Sequence, residues 1–320
     1  MIKKINPIIT SEMRSRMRGR RAFIILTIYL LLLSCLAGSV YATIYNENVN
    51  RSYYAYNVTA PNIQYGPVIG KAIFIGTTLL LLLIISHVAP AFTAGALAGE
   101  REKKTYDILI ITPLRARQIV LGKLGAVFIF LLLLILASLP IQSLAFLFGG
   151  VALAEVLIGA LGLLVTALAF GALGLYISSL SRTTMIALIV TYGLTIPFIY
   201  GLPLLLITIM SNLIQVPLFT GILFDQYNLS LISTILFIIT GLILVYGVGF
   251  ALSINPFSSA IMTGILAANG YGYFFFKESF GQNVTLWFLS PWLVYVIFYL
   301  LLTLLLLQLT VRRVAKISNI

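Results

Sequence analysis

The chain has 320 residues, of which 61% are hydrophobic and only 9% charged, and its net charge is +12. A soluble domain holds about 25% charged residues, so the composition excludes a soluble enzyme or binding module and points to an integral membrane protein. With one cysteine (Cys35) and one histidine (His87), an internal disulfide, a thiol cluster and a His-based metal site are excluded too.

Residues 1–21 read as an amphipathic helix approaching the membrane. Asn6-Pro7 is a suitable start, with proline at the first helical position. Ile5, Ile9, Met13 and Met17 form an apolar stripe, and Arg14, Arg16, Arg18, Arg20 and Arg21 crowd the remainder. Such a helix lies in the interface with its cations among headgroups. Gly19 offers a bend into the first span, and a basic, disordered tail is the plainer alternative. The long patterned approach argues against a cleaved signal.

Apolar runs follow at Ala22–Thr43, Ala72–Leu97, Val120–Phe148, Ala154–Leu180, Met185–Met210, Leu229–Ser253 and Pro291–Val311. Each reaches the ~20 residues that a membrane helix needs, and none alternates as barrel strands do. The fold class is therefore all-α, a polytopic helical membrane bundle of six to eight spans. With the amino terminus inside, all basic residues except Arg51, Lys71 and Lys277 fall on the cytoplasmic side. That distribution obeys the positive-inside rule and sets the cations against anionic lipid, so nucleic acid is not needed to explain the charge. Ile254–Phe276 is a weaker run, interrupted by Pro256, Gly264, Gly270 and Gly272. If Leu229–Ser253 crosses, Ile254–Phe276 must return for Arg312, Arg313 and Lys316 to remain inside, which favours eight spans. The six-span alternative folds residues 211–290 as an outer re-entrant region. The expected organisation is an interfacial helix over 1–21, a transmembrane domain over 22–311 and a cytoplasmic tail over 312–320.

The first outer loop, Ile44–Gly70, is rich in tyrosine, as interface segments are. Asn57-Val-Thr59 and Asn283-Val-Thr285 match the glycosylation acceptor pattern. His87 reads as a packing histidine bonded to a backbone carbonyl, because no carboxylate partner for a proton relay is in view. Glu155 reads as a headgroup-level residue at the mouth of the fourth span, and Asp225 as a solvated loop residue. Gly159-Ala-Leu-Gly162 and Gly171-Ala-Leu-Gly174 would let helices approach closely. Pro197 and Pro203 require neighbouring groups to satisfy the backbone they free.

Charge concentrates in one place between spans, Gly99–Lys123. Glu100 and Lys104 are spaced for an i,i+4 pair. Pro113 disfavours helical geometry at Thr112, and Thr112-Pro113 suits the cap and first position of a new helix. The stretch reads as a surface helix over 100–111, a break, and a second helix entering the third span. Helix on both sides of a break suits a lever; an ordinary charged turn is the plain alternative. No phosphate loop, no His-Glu-x-x-His and no Gly-x-Ser-x-Gly occurs.

Glu100-Arg101-Glu102, Thr105, Ile108-Leu109, Thr112-Pro113, Ile119 and Gly122-Lys123 resemble, in order and position, the coupling-helix region of type-2 ABC transporter permeases, the membrane subunits of many bacterial exporters. The basic approach helix and the turn Ser178-Ser179-Leu180-Ser181-Arg182 are similar too; beyond about residue 190 the likeness is poor. The resemblance implies that Glu100, Arg101, Glu102, Thr105, Leu109, Thr112, Pro113, Gly122 and Lys123 couple the chain to a separate cytoplasmic ABC ATPase. Met13, Arg14, Arg16, Met17 and Arg18 would belong to the interfacial helix. It further implies export driven by ATP hydrolysed on the partner, no cofactor or metal bound by this chain, and pairing with a second copy or a homologous permease. The location would be the bacterial cytoplasmic membrane with both termini inside. Two other classes are an ion- or proton-coupled secondary transporter, which would want charged groups near midplane, and a non-transporting membrane scaffold.

Overall fold

Long apolar runs can satisfy their backbone in lipid only as helices, and the chain folds accordingly. The computed structural model describes residues 7–17, 20–54, 65–106, 114–215, 247–280 and 284–318. In chain order these form α1 (Pro7–Met17), α2 (Arg20–Tyr54), α3 (Tyr65–Glu102), α4 (Ala116–Phe148), α5 (Leu153–Leu180) and α6 (Thr184–Ile196). A π-helical turn (Pro197–Gly201) leads into α7 (Leu202–Gln215). A helix α8 over Gly247–Ile254, α9 (Pro256–Ala268), strands β1 (Phe275–Phe280) and β2 (Val284–Leu289), and α10 (Pro291–Ser318) complete the chain. Among the described residues, 6 helical stretches are long and apolar enough to cross a membrane: Phe23–Glu47, Tyr65–Glu102, Ala116–Phe148, Leu153–Leu180, Thr184–Ile209 and Pro291–Lys316. The chain divides into two units, Met1–Thr191 with Leu302–Ile320, and Tyr192–Leu301.

In the first unit, α3 and α5 pack most closely. Lipid gives membrane helices no hydrophobic reason to associate, so small residues that admit close backbones do the work. A Cβ at Gly174 would stand 2.3 Å from the Thr93 hydroxyl and 2.8 Å from the Pro90 carbonyl oxygen. The second Gly-Ala-Leu-Gly repeat is thus a helix-packing seam, as its small residues suggest. α3 carries Pro90 without ending. Thr93 donates its hydroxyl to the Ala89 carbonyl at 3.0 Å, and the Ser178 hydroxyl accepts the Leu97 and Ala98 N–H groups, each at 2.9 Å. His87 donates Nδ1–H to the Leu83 carbonyl at 2.8 Å; a carbonyl only accepts, so this nitrogen carries the proton. The histidine is held as packing would have it.

In the second unit an asparagine supplies the partner that Pro203 requires. Pro203 lacks the N–H that would reach back one turn, and the buried Asn255 amide donates instead to the Phe198 and Ile199 carbonyls at 3.0 and 2.9 Å. Its oxygen accepts the Phe257 and Ser258 N–H groups at 3.0 and 3.2 Å, capping α9 with Pro256 at the first position. The cap also sets the bend of 110° between α8 and α9.

Three expectations change. Ile254–Phe276 is not one membrane-length helix: α9 spans only 13 residues, about 20 Å at ~1.5 Å per residue, and with α8 it forms a bent pair, a broken span or a re-entrant loop. Gly270, at a φ of 80°, then turns the chain into a hairpin. The described residues thus give 6 spans, or 7 if the bent pair counts as one, while most of Leu229–Ser253, with Asp225, lies outside the described residues. The outer loop is shorter than Ile44–Gly70, because α2 stays helical to Tyr54 and α3 begins at Tyr65; Asn57 and Asn283 lie outside the described residues. Finally, α10 runs unbroken to Ser318, so the tail through Ser318 is a continuation of the last helix.

Candidate functional site

The end of α3 is where the charged stretch begins, and it stops by a defined device. Lys104 N–H bonds to the Arg101 carbonyl at 3.0 Å and Thr105 N–H to the Glu100 carbonyl at 2.9 Å, with Lys104 in the left-handed region at a φ of 57°. This is a Schellman motif, in which the residue that reverses the helix is commonly glycine; here it is lysine. Helix therefore ends before Lys104, and the expected Glu100–Lys104 pair is not made, since its i,i+4 geometry does not exist. The surface helix expected over 100–111 is interrupted at its start, and Asp107, Ile108, Leu109, Thr112 and Pro113 lie outside the described residues. The next helix opens at Ala116 with Arg115 as its cap residue, later than the Thr112-Pro113 start that the sequence suggests. Gln118 accepts the Arg115 N–H at 2.9 Å, which satisfies one group that a side chain at Thr112 would have addressed.

The motif residues on either side come together. Lys123, on α4, has a side chain only 3% exposed and places its ammonium 3.1 Å from Glu100 and 2.9 Å from Glu12 on α1. Glu100 also accepts the Thr105 hydroxyl. Both carboxylates of the Glu-Arg-Glu run lie past Leu97, where the apolar stretch ends. Burial alone would push the Glu100 carboxyl up, but Thr105 and Lys123 outweigh it and hold the carboxyl below the usual range. One buried ammonium thus joins α1, α3 and α4. Beside it, Ile8 of α1 packs on a cluster made of Leu97, Tyr106, Ile119, Val120, Leu124, Leu175 and Val314.

Glu102 turns the other way. Its exposed carboxylate accepts the Thr184 N–H at 3.0 Å and the Thr184 hydroxyl at 2.6 Å, capping α6 from a neighbouring helix at the end where negative charge is favoured. The Thr184 hydroxyl and N–H hold this carboxyl low. Arg101 donates to the Ser181 carbonyl at 2.9 Å and lies 4.6 Å above the Tyr106 ring. Arg313, near the end of α10, donates to the Ser179 carbonyl at 3.2 Å.

The structure thus brings Glu100, Arg101, Glu102, Thr105 and Lys123 into one assembly, with Gly122 buried beside Lys123. Each of the first four bonds to its own chain. Among the described residues of the elbow, Glu102 and Gln118 are exposed but bonded within the chain, and the other exposed charged side chains are the cations Lys103, Lys104, Arg115 and Arg117. Met13 is half-buried on α1; Arg14, Arg16 and Met17 belong to the same helix, and Arg18 lies outside the described residues. Sequence reasoning missed Glu12 and Thr184, and it named Ser178 and Arg313 without their partners. Glu12 carries a signal, as the single acid among residues 1–21; Ser178 and Thr184 are short polar residues and Arg313 is one cation of a basic end, which only a fold can pair. Among the described residues, no cluster of His, Cys, Asp or Glu is arranged to hold a metal ion.

Comparison with curated proteins returns no match. The family model described as "ABC-2 family transporter protein" matches residues 6–307, nearly the whole length, and its span takes in α1, the braced elbow and the apolar helices alike. The chain belongs to the ABC-2 family of transporter proteins and is a multi-pass membrane permease.

Proposed function

We propose that this chain is the transmembrane subunit of an ATP-driven exporter, worked by a separate cytoplasmic ATPase that docks on the elbow between α3 and α4. The observation that carries the reading is mechanical. The end of α3 is fastened to α1, α4, α5 and α6 through Lys123, Ser178, Ser181 and Thr184. A push on the elbow would therefore move a set of helices rather than a loose turn. The exposed Lys103, Lys104, Arg115 and Arg117 offer the partner a cationic surface, which an acidic face of the ATPase would complement. Nucleotide closure on the partner would displace α3 and α4 together and exchange inward- and outward-facing states. ATP is bound by the partner, and this chain holds no cofactor of its own. Two copies, or one copy and a homologous permease, would bracket the substrate path in the bacterial cytoplasmic membrane, with both termini cytoplasmic and α1 among inner-leaflet headgroups.

The test is retention of the ATPase during purification from native membranes. Reversing the exposed cations (Lys103→Glu, Lys104→Glu, Arg115→Glu, Arg117→Glu) is expected to release the ATPase while the permease still inserts. An ATPase that stays bound and coupled in this variant would refute the docking site.

A further inference from the structure

The hairpin before α10 plays no part in the elbow, and its two faces differ. β1 and β2 pair antiparallel, with Phe275 opposite Leu289, Lys277 opposite Trp287, and Phe276 opposite Phe288. Side chains alternate faces along a strand, so Phe275, Lys277, Trp287 and Leu289 share one face. On the other face Phe276 stacks on Phe288 at 5.4 Å and meets the edge of Tyr271 at 5.9 Å, and both phenylalanines are half-buried. The first face is open, with Trp287 71%, Leu289 54% and Phe275 53% exposed. A two-stranded hairpin is marginal on its own in water, and an apolar face of this kind marks an interaction surface.

Its place in the fold identifies what covers it. The hairpin is tied to the first turn of α10: Ser290 N–H donates to the Phe274 carbonyl at 2.9 Å, and Phe274 meets the Trp292 ring edge-on at 5.6 Å. α10 is one continuous helix whose far end carries Arg312, Arg313 and Lys316. From Trp292 to Arg312 the helix rises about 30 Å at ~1.5 Å per residue, which is the thickness of the hydrocarbon core. With those cations in one headgroup layer, Trp292 and the hairpin stand at the other. The chemistry suits that layer, where aromatic rings settle among the upper acyl chains and a lysine ammonium reaches phosphate.

We propose that the face formed by Phe275, Lys277, Trp287 and Leu289 is an interfacial anchor, seated in phospholipid headgroups at the membrane surface opposite Arg312. It fixes the depth of that end of α10 and does not depend on how the elbow is driven. The experiment uses the full chain in phospholipid nanodiscs. Trp287 and Trp292 are the two tryptophans of the chain, so Trp292→Phe leaves Trp287 as sole reporter; should that variant misfold, the difference between wild type and Trp287→Phe reads the same residue. Brominated phosphatidylcholine with bromines near the headgroup end of the acyl chain is expected to remove most of the Trp287 emission. Bromines near the methyl end should remove less, and aqueous acrylamide little. Strong acrylamide quenching without lipid quenching would overturn the proposal, placing the face in water. Protection from both quenchers would also overturn it, because another protein surface would then cover the hairpin.

Discussion

Lys123→Met removes one ammonium and keeps the length and apolar stem of the side chain. Two carboxylates, Glu12 and Glu100, are then left facing a site that held a cation 2.9 and 3.1 Å away. Removing one partner of a fully buried pair costs about 3–5 kcal/mol. Glu12 and Glu100 are 22% and 31% exposed, so water meets part of the demand and the expected loss is about 2–3 kcal/mol. Adding Glu12→Gln and Glu100→Gln to the variant should recover roughly half of that, because no charge is then stranded. Reversible unfolding in mixed detergent micelles measures the difference, and its pH dependence checks the cause. The Glu100 carboxyl is held low in the folded chain, below an unfolded value of about 4.3. Its contribution is therefore present above that value and is lost as pH falls through the folded one. The gap between wild type and variant should be full near neutral pH and close as acid protonates the carboxylates. A variant as stable as wild type near neutral pH, or a gap that acid leaves unchanged, would refute the reasoning.

Other residues of the elbow and its packing give further expectations. Lys104→Gly should stabilise the chain by about 1 kcal/mol in the same unfolding assay, since glycine carries no Cβ penalty at a positive φ, and Lys104→Val should do the reverse. Gly174→Leu should separate α3 from α5 and abolish the folded protein, measured as monodisperse yield in detergent. Gly171→Ala, whose new Cβ would meet the flexible tip of Leu124 at 3.0 Å, should be tolerated far better. Glu102→Gln should speed amide exchange at the first turn of α6 while leaving the end of α3 protected, as read by hydrogen–deuterium exchange.

How much of this was legible in the sequence depends on the range of the interaction. The apolar helices, the seam at Gly171 and Gly174, the backbone-bonded His87 and the need for a partner at Pro203 follow from local chemistry, and the structure bears each out. The Glu-Arg-Glu and Gly-Lys motifs point to residues that the structure brings together, yet their spacing does not show that Lys123 reaches Glu12 across a separation of 111 residues. The surface helix over 100–111 rests on an i,i+4 pattern; a left-handed Lys104 defeats that pattern, and lysine gives no local sign of it. The hairpin was hidden for a different reason. Phe275, Phe276 and Phe288 raise mean hydropathy as membrane helix does, and only Gly270 and Gly272 hinted that the helix stops.

The central claim is that the elbow meets an ATPase on the cytoplasmic side, and site-specific photocrosslinking from Lys103 in native membranes tests it most directly. The account predicts an adduct with a phosphate-loop ATPase whose yield changes when nucleotide is trapped on that subunit. A Lys103 site that reacts instead with a membrane-impermeant reagent added outside intact cells would contradict it.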